Sequence, residues 1–268
     1  MSLRVATYNI RKGGLRRRAL IAAVLGALDP DIVVLQEATD PRVVEWLGRE
    51  LGSPVAASSP GRSVAVLGRS TTGPVRWHRL PTGRMVVEAF VPDHEIRIIA
   101  VHLSAGLSAR GERRRAWEVE RVLDIAARHP GPARTAIVGD LNAISPGDAP
   151  KVSDLPAWIR LLLRADGGLS ATVVARVLAS GFVDAFRLLT PGDPGATLPA
   201  AAPTVRLDYV MLGPSLVPQA RSCAIGQADP ALLLAASDHL PLVLELADCT
   251  EPAGIRDDAR RAGSAAAL

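Results

Sequence analysis

Short apolar runs that end on a polar group recur along this sequence and constrain its fold more than any other feature. Ile137-Val138-Gly139-Asp140-Leu141-Asn142 is the clearest. Two apolar residues run up a buried strand, and Gly139 frees the backbone to turn. Asp140 and Asn142 then share one face, because strand side chains alternate with period two. An acceptor-only carboxylate stands beside an amide that both donates and accepts. Such a pair can position a water while binding a phosphate oxygen. Taken alone, it also fits an Asx turn closing a strand. The same grammar returns at Thr7-Tyr8-Asn9-Ile10, Leu35-Gln36-Glu37, Val101-His102-Leu103, Arg206-Leu207-Asp208-Tyr209-Val210 and Ser237-Asp238-His239-Leu240-Pro241. One buried polar group without a partner costs ~1–3 kcal/mol. Convergence on a single site is therefore a better account than separate burials.

Between these points the periodicity predicts an α/β chain. Residues 3–9 alternate as a strand with Leu3, Val5 and Thr7 on one face. A helix is expected over 15–28, closed at Asp29-Pro30. Residues 31–36 are nearly all apolar, the mark of a strand buried on both sides. Asp40 and Pro41 open a second helix, to about 51. Stretches 62–69, 74–80, 84–91 and 95–103 follow at hairpin spacing and predict one antiparallel meander. A long helix over 107–128 leads to a strand at 134–139. Short helices are expected near 154–164 and 170–179, loops at 143–152 and 190–204, and strands at 205–212, 220–226 and 241–247. From Asp248 the pattern dissolves into charge, Gly and Ala. We read one domain over 1–247 and a disordered tail over 248–268.

Composition narrows the class. The chain has 268 residues and is 48% hydrophobic, enough for a sizeable core, but only 3% aromatic. No apolar run approaches the ~18 residues of a membrane helix. No charged-then-apolar leader precedes the first strand. Cys223 and Cys249 form neither a CxxC pair nor a disulfide framework. The expectation is a soluble, cytoplasmic monomer without a membrane anchor. The formal net charge is +4, and of 31 basic residues only Lys12 and Lys151 are lysine, leaving 31 − 2 = 29 arginines. Arginine suits phosphate geometry, although such a bias equally follows from base composition.

Taken in order, Val138-Gly139-Asp140-Leu141-Asn142, Arg206-x-Asp208-Tyr209-Val210 and Ser237-Asp238-His239-x-Pro241 resemble the endonuclease/exonuclease/phosphatase family, the relatives of exonuclease III and deoxyribonuclease I. The resemblance spans residues 3–247. It implies a four-layer α/β/β/α sandwich of two mixed sheets. It also implies a Mg²⁺ (or Mn²⁺) phosphoesterase, with Asn9, Glu37 and Asp238 at the metal and phosphate. Asp140, helped by Asn142, would orient or deprotonate water. His239 would contact the phosphoryl group with Asp208 fixing its tautomer, and His102 would sit across the phosphate as donor or general acid. The chemistry agrees independently, since phosphate ester hydrolysis calls for a cation, an activated water and a stabilised leaving group, and hard oxygen ligands select Mg²⁺ or Mn²⁺. Some family nucleases pair the counterpart of His102 with a glutamate on the strand around Arg84. Here Met85 follows Arg84, and Glu88 is the one alternative carboxylate.

The bond class is thus better defined than the substrate. A nucleic-acid phosphodiesterase is the leading reading, with Arg110 and Arg113 to Arg115 in reach of backbone phosphates. A phosphatase of small metabolites or lipid headgroups would share every catalytic residue. A non-catalytic binding module is disfavoured by retention of the whole polar set. Arg206 fits a carboxylate partner or a substrate contact equally. Trp46, Trp117 and Trp158 are read as helix packing, and His78, His94 and His129 as exposed turn or helix-end residues.

Overall fold

In the first strand, β1 (Leu3–Asn9), Leu3 and Val5 face one way while Ala6 and Tyr8 face the other, and both faces are buried. A strand apolar on both faces needs a layer on each side, and the whole fold follows from repeating that requirement. The computed structural model describes residues 2–69, 73–106, 109–128, 131–148, 160–161 and 171–248. The helix expected near 154–164 and the tail beyond Asp248 lie outside these residues, apart from 160 and 161. Among the described residues no helix is long and apolar enough to cross a membrane.

Two mixed six-stranded sheets form. The first contains β1, β2 (Ile32–Gln36), β3 (Val55–Ala57), β4 (Val64–Gly68), β11 (Ala220–Ile225) and β12 (Leu242–Leu246), in the order β11-β12-β1-β2-β4-β3. The second contains β5 (Val75–Arg79), β6 (Met85–Val91), β7 (Ile96–His102), β8 (Thr135–Asp140), β9 (Val183–Asp184) and β10 (Asp208–Leu212), in the order β5-β6-β7-β8-β10-β9. Their inner faces share one core, in which Val5, Ile32, Val34 and Val66 meet Val87, Ile98, Val138 and Val210. On the outer face of the first sheet lie α1 (Arg18–Leu28), α2 (Pro41–Glu50) and α6 (Pro230–Ala236), contributing Ile21, Leu25, Val43, Leu47 and Leu233. On the outer face of the second lie α3 (Ala109–Ala126) and α4 (Thr172–Ala179), contributing Val119, Val122, Ile125, Val174 and Val177. A short α5 (Ala185–Leu189) follows β9. The architecture is the expected α/β/β/α sandwich.

The meander needs correction. Only β5, β6 and β7 form it; residues 64–68 pair antiparallel with β2 in the other sheet. Hairpin spacing is blind to this, because residues 69–74, which join the two sheets, are little longer than a hairpin loop. The side chains hold the signal: all of β4 is buried, as an interior strand's must be, whereas β5 is half-exposed at an edge. The short β3 and β9, and helices α5 and α6, are too brief to show periodicity.

Asp40 caps α2, accepting from the backbone N of Arg42, so Glu37 is free for other duties. Arg206 is buried and donates to both oxygens of Asp184 and to Asp148, while its guanidinium lies over the Tyr209 ring. It is a structural clamp, the carboxylate alternative. His78 is not an exposed turn residue: it sits on β5 with Nε2 2.7 Å from Glu88. His94 is buried, and His129 and Trp158 lie outside the described residues. Trp46 packs against the outer core and under Arg18. Trp117 does not pack as expected, being 66% exposed.

Candidate active site and metal centre

Strand pairing delivers the polar groups to one place. β1 runs parallel to β2 with Asn9 opposite Gln36, which brings Glu37 beside Asn9. β7 runs parallel to β8 with His102 opposite Asp140, and β10 runs antiparallel to β8 with Asp208 opposite Asp140. The two groups then meet across the interface between sheets. Asn9 Nδ2 donates to Asp140 Oδ2 at 3.0 Å and lies 3.5 Å from Glu37 Oε1. Gly139 makes the meeting possible. Its φ is +139, and a Cβ there would lie 2.1 Å from the Val101 carbonyl oxygen and 3.2 Å from Gln36 Nε2.

Asp140, Asp208 and His239 form a buried cluster whose ligand atoms all lie within 4.8 Å of one another. His239 Nδ1 is 2.8 Å from Asp208 Oδ2, leaving Nε2 for the site. Burial works against a charged His239, but the Asp208 charge and hydrogen bond, with Asp140 and Asp238, outweigh it and raise the imidazole to about 9. A protonated ring donates at both nitrogens and cannot be a metal ligand. Burial and the facing Asp208 charge push the Asp140 carboxyl up, against His239 and the hydrogen bonds from Asn142 and Asn9. His102 Nε2 is 3.8 Å from Asp140 Oδ2. Burial first, then the Arg84 cation, hold its ring neutral, with the pKa pushed down to about 3.

The expected neighbours of Asp140 and His102 differ in detail. Asn142 lies past the end of β8 with φ +48. Its backbone N donates to Asp140 Oδ1 at 2.8 Å and its Nδ2 to the Leu103 carbonyl at 3.1 Å. The Asx turn is therefore real, and it fixes the carboxylate rather than competing with a site. Glu88 does not substitute as partner of His102, since it is engaged by His78 and by Arg97 at 3.3 Å. Arg84 donates to the His102 carbonyl at 3.3 Å, and His102 Nδ1 has no partner among the described residues.

A loop passed over in the sequence completes the rim. Arg11, Lys12, Gly13 and Gly14 are four successive left-handed residues, and the Gly-Gly pair was the available signal. The Lys12 N donates to Glu37 Oε2 at 2.5 Å and the Arg11 N to Asn9 Oδ1 at 3.0 Å. Arg17 ties the loop down through the carbonyls of Ile10, Arg11 and Ala236. Ser237 Oγ donates to the Asn9 carbonyl at 2.6 Å, docking the Asp238-His239 stretch onto β1. Asp238 is the outermost member, 39% exposed and 3.3 Å from Arg11 Nε.

A hard divalent cation fits these residues. Carboxylate oxygens of Glu37 and Asp140 meet at the Asn9 amide with Asp208 facing Asp140, no thiolate is among them, and buried Asp208 Oδ1 has no partner among the described residues. Two facing carboxylates at this burial need a positive charge beyond what one imidazolium supplies.

Comparison with known proteins agrees with this fold. An AP endonuclease from Archaeoglobus fulgidus superposes with a TM-score of 0.72 at 22% identity, over 90% of this chain and 98% of that one. The 3′ phosphatase NExo from Neisseria, bound to product DNA hairpin, gives 0.70 at 19% identity, over 91% and 99%. An endonuclease/exonuclease/phosphatase from Beutenbergia cavernae gives 0.67 at 22% identity, over 92% and 72%. No curated protein matches the sequence. At these identities the superpositions establish the fold. The sequence itself matches the endonuclease/exonuclease/phosphatase family over residues 6–239, a span that takes in every site residue from Asn9 to His239. A sandwich of this topology, with a buried Asp-Asp-His cluster where its sheets meet, and a family match across that span lead to one conclusion: the chain belongs to the endonuclease/exonuclease/phosphatase family and is a phosphoesterase.

Proposed function

We propose that this phosphoesterase is a Mg²⁺- or Mn²⁺-dependent phosphodiesterase that cleaves nucleic acid by water attack. One observation carries the reading: Asp140, Asp208 and His239 converge within 4.8 Å, beside Asn9 and Glu37, at the junction of the two sheets. Glu37, Asn9 and Asp238 would hold the cation at the rim. When bound, the cation supplies charge neutralisation on the phosphoryl and leaving oxygens.

The protein's own groups do the rest. Asp140 is held through one oxygen by the Asn142 N and through the other by Asn9. A carboxyl whose pKa is raised by burial is a competent base near neutrality, so Asp140 is placed to orient a water and take its proton. Asp208 holds His239 by Nδ1, so that Nε2–H and the imidazolium charge meet a phosphoryl oxygen. His102, neutral in the free site, is placed to give a hydrogen bond across the phosphate.

Nucleic acid as substrate is supported by the +4 charge, by exposed Arg11 at the rim of the site, and by the structural neighbours, an AP endonuclease and a 3′ phosphatase bound to DNA. The test is hydrolysis of duplex DNA, single-stranded DNA, RNA and phosphorylated small molecules with Mg²⁺. Cleavage of a nucleic acid is expected. Phosphate release from small monoesters alone would replace this reading with a small-molecule phosphatase.

A further inference from the structure

Helix α3 has two differently employed sides. Its buried side is locked to the loop that leaves His102. Glu118 accepts from the Ser104 N at 2.7 Å and from Ser104 Oγ at 2.6 Å, and Arg115 Nη1 donates to the Ser104 carbonyl at 3.0 Å. Arg115, expected among the substrate-facing arginines, is thus a fold residue, also paired with Glu112. The helix is fixed relative to the active site by these contacts.

The outward side is unlike an ordinary solvated face. At ~100° per residue, Arg110, Arg113, Arg114 and Trp117 fall within one stripe ~100° wide, over ~10 Å of helix starting at the site end. All are exposed, and Trp117 has the second-highest exposure among the exposed large apolar residues, 66% against 70% for Leu161. Among the described residues none of the three arginines meets a carboxylate, whereas Arg121 and Arg176 do. A fully solvated helix face gains nothing from an indole, and isolated unpaired arginines around it add cost to the fold through like-charge repulsion. Both features make sense together if something anionic and planar lies there.

Resting on the nucleic-acid reading above, we infer that this stripe of α3 is a single-strand nucleic-acid surface. Trp117 stacks on an unpaired base, and Arg110, Arg113 and Arg114 contact the phosphates that lead to the scissile bond. The chemistry selects a single strand over duplex, because only an unpaired base offers its face to an indole. One exposed tryptophan among arginines offers such a platform.

The test is fluorescence anisotropy with a labelled oligothymidylate and the full chain in chelator, where no turnover occurs. Trp117→Ala is expected to weaken binding by about 5- to 150-fold, the range of one base–aromatic stack, and Trp117→Phe to retain most of it. The pair Arg113→Gln/Arg114→Gln is expected to reduce the log–log salt slope by about 1.4, or 0.7 per single-strand phosphate. With Mg²⁺, kcat on bis(p-nitrophenyl) phosphate should be unchanged in all three. Wild-type binding by Trp117→Ala overturns the inference while leaving the nucleic-acid reading intact if the oligonucleotide is still cleaved. No binding by wild type overturns the inference, and the nucleic-acid reading falls with it only if duplex DNA and RNA are also left uncleaved. A lower Tm in Trp117→Ala, with Tm and binding both restored by Trp117→Leu, would show that the indole packs on its own chain and also overturns it.

Discussion

Replacing Asp208 by asparagine probes the centre of the site. Asp208 is fully buried and its Oδ2 is 2.8 Å from His239 Nδ1. Its charge and hydrogen bond are the main groups raising His239, to about 9, against burial. At about pH 7.5 a group of pKa about 9 is roughly 97% protonated, whereas one at or below its ordinary ~6.5 is under about 10% protonated. Loss of the charge alone therefore removes about tenfold of the imidazolium. Asparagine also cannot enforce one tautomer, because its amide accepts or donates toward Nδ1. Together we expect kcat to fall by about 10²–10⁴, the range for lost acid–base assistance, with the fold retained because the substitution is nearly isosteric. His239→Ala should cost a similar factor, and the double variant little more, since groups acting as one unit are non-additive. The assay is steady-state hydrolysis of bis(p-nitrophenyl) phosphate at saturating Mg²⁺, with circular dichroism as the control for folding. Losses that multiply in the double variant would refute the dyad.

Three further outcomes are expected. In chelator, stability should fall as pH rises from 6 to 9. His239 is raised from ~6.5 to about 9, so its contribution is complete below ~6.5 and is lost as pH passes 9, and Asp140, also raised, acts in the same direction; a Tm that climbs over this range contradicts the site electrostatics, and Mg²⁺ should restore more Tm at pH 9 than at pH 6. Arg206→Met should destabilise by about 3–5 kcal/mol in urea melts, because Asp184 is left as a buried carboxylate without its cation while Asp148 keeps only Arg187; an effect below about 1 kcal/mol would show the cluster to be solvated. Gly139→Ala should cost about 2–4 kcal/mol, since the new Cβ meets the Val101 carbonyl at 2.1 Å, and a stable, active variant would show that β7 and β8 need not approach so closely there.

Much of this architecture can be read from residue order alone because strand ends carry it. Apolar runs closed by Asn9, Glu37, His102, Asp140, Asp208 and His239 are local patterns, and the family-like spacing of three of them supplies the sandwich. What escapes has a physical reason in each case. Residues 64–68 go to the other sheet because hairpin-length loops do not reveal a crossing, and only burial of every side chain in β4 does. Arg84 beside His102 and Ser237 against Asn9 depend on tertiary approach between segments far apart in the chain. Arg115 and Trp117 are two positions apart on α3 yet have opposite fates, because a helix turns ~200° in two residues. An arginine-rich stretch therefore cannot be sorted into fold and surface without knowing which side faces the sheet.

The claim on which the rest depends is that these groups form one metal-dependent hydrolytic centre. It is tested most directly by stripping the protein with chelator and titrating Mg²⁺ back while following bis(p-nitrophenyl) phosphate hydrolysis. The account predicts no turnover in the stripped protein and saturable recovery with Mg²⁺ or Mn²⁺, as expected for two facing buried carboxylates beside Asn9 and Glu37. Full turnover by verified metal-free protein would contradict it.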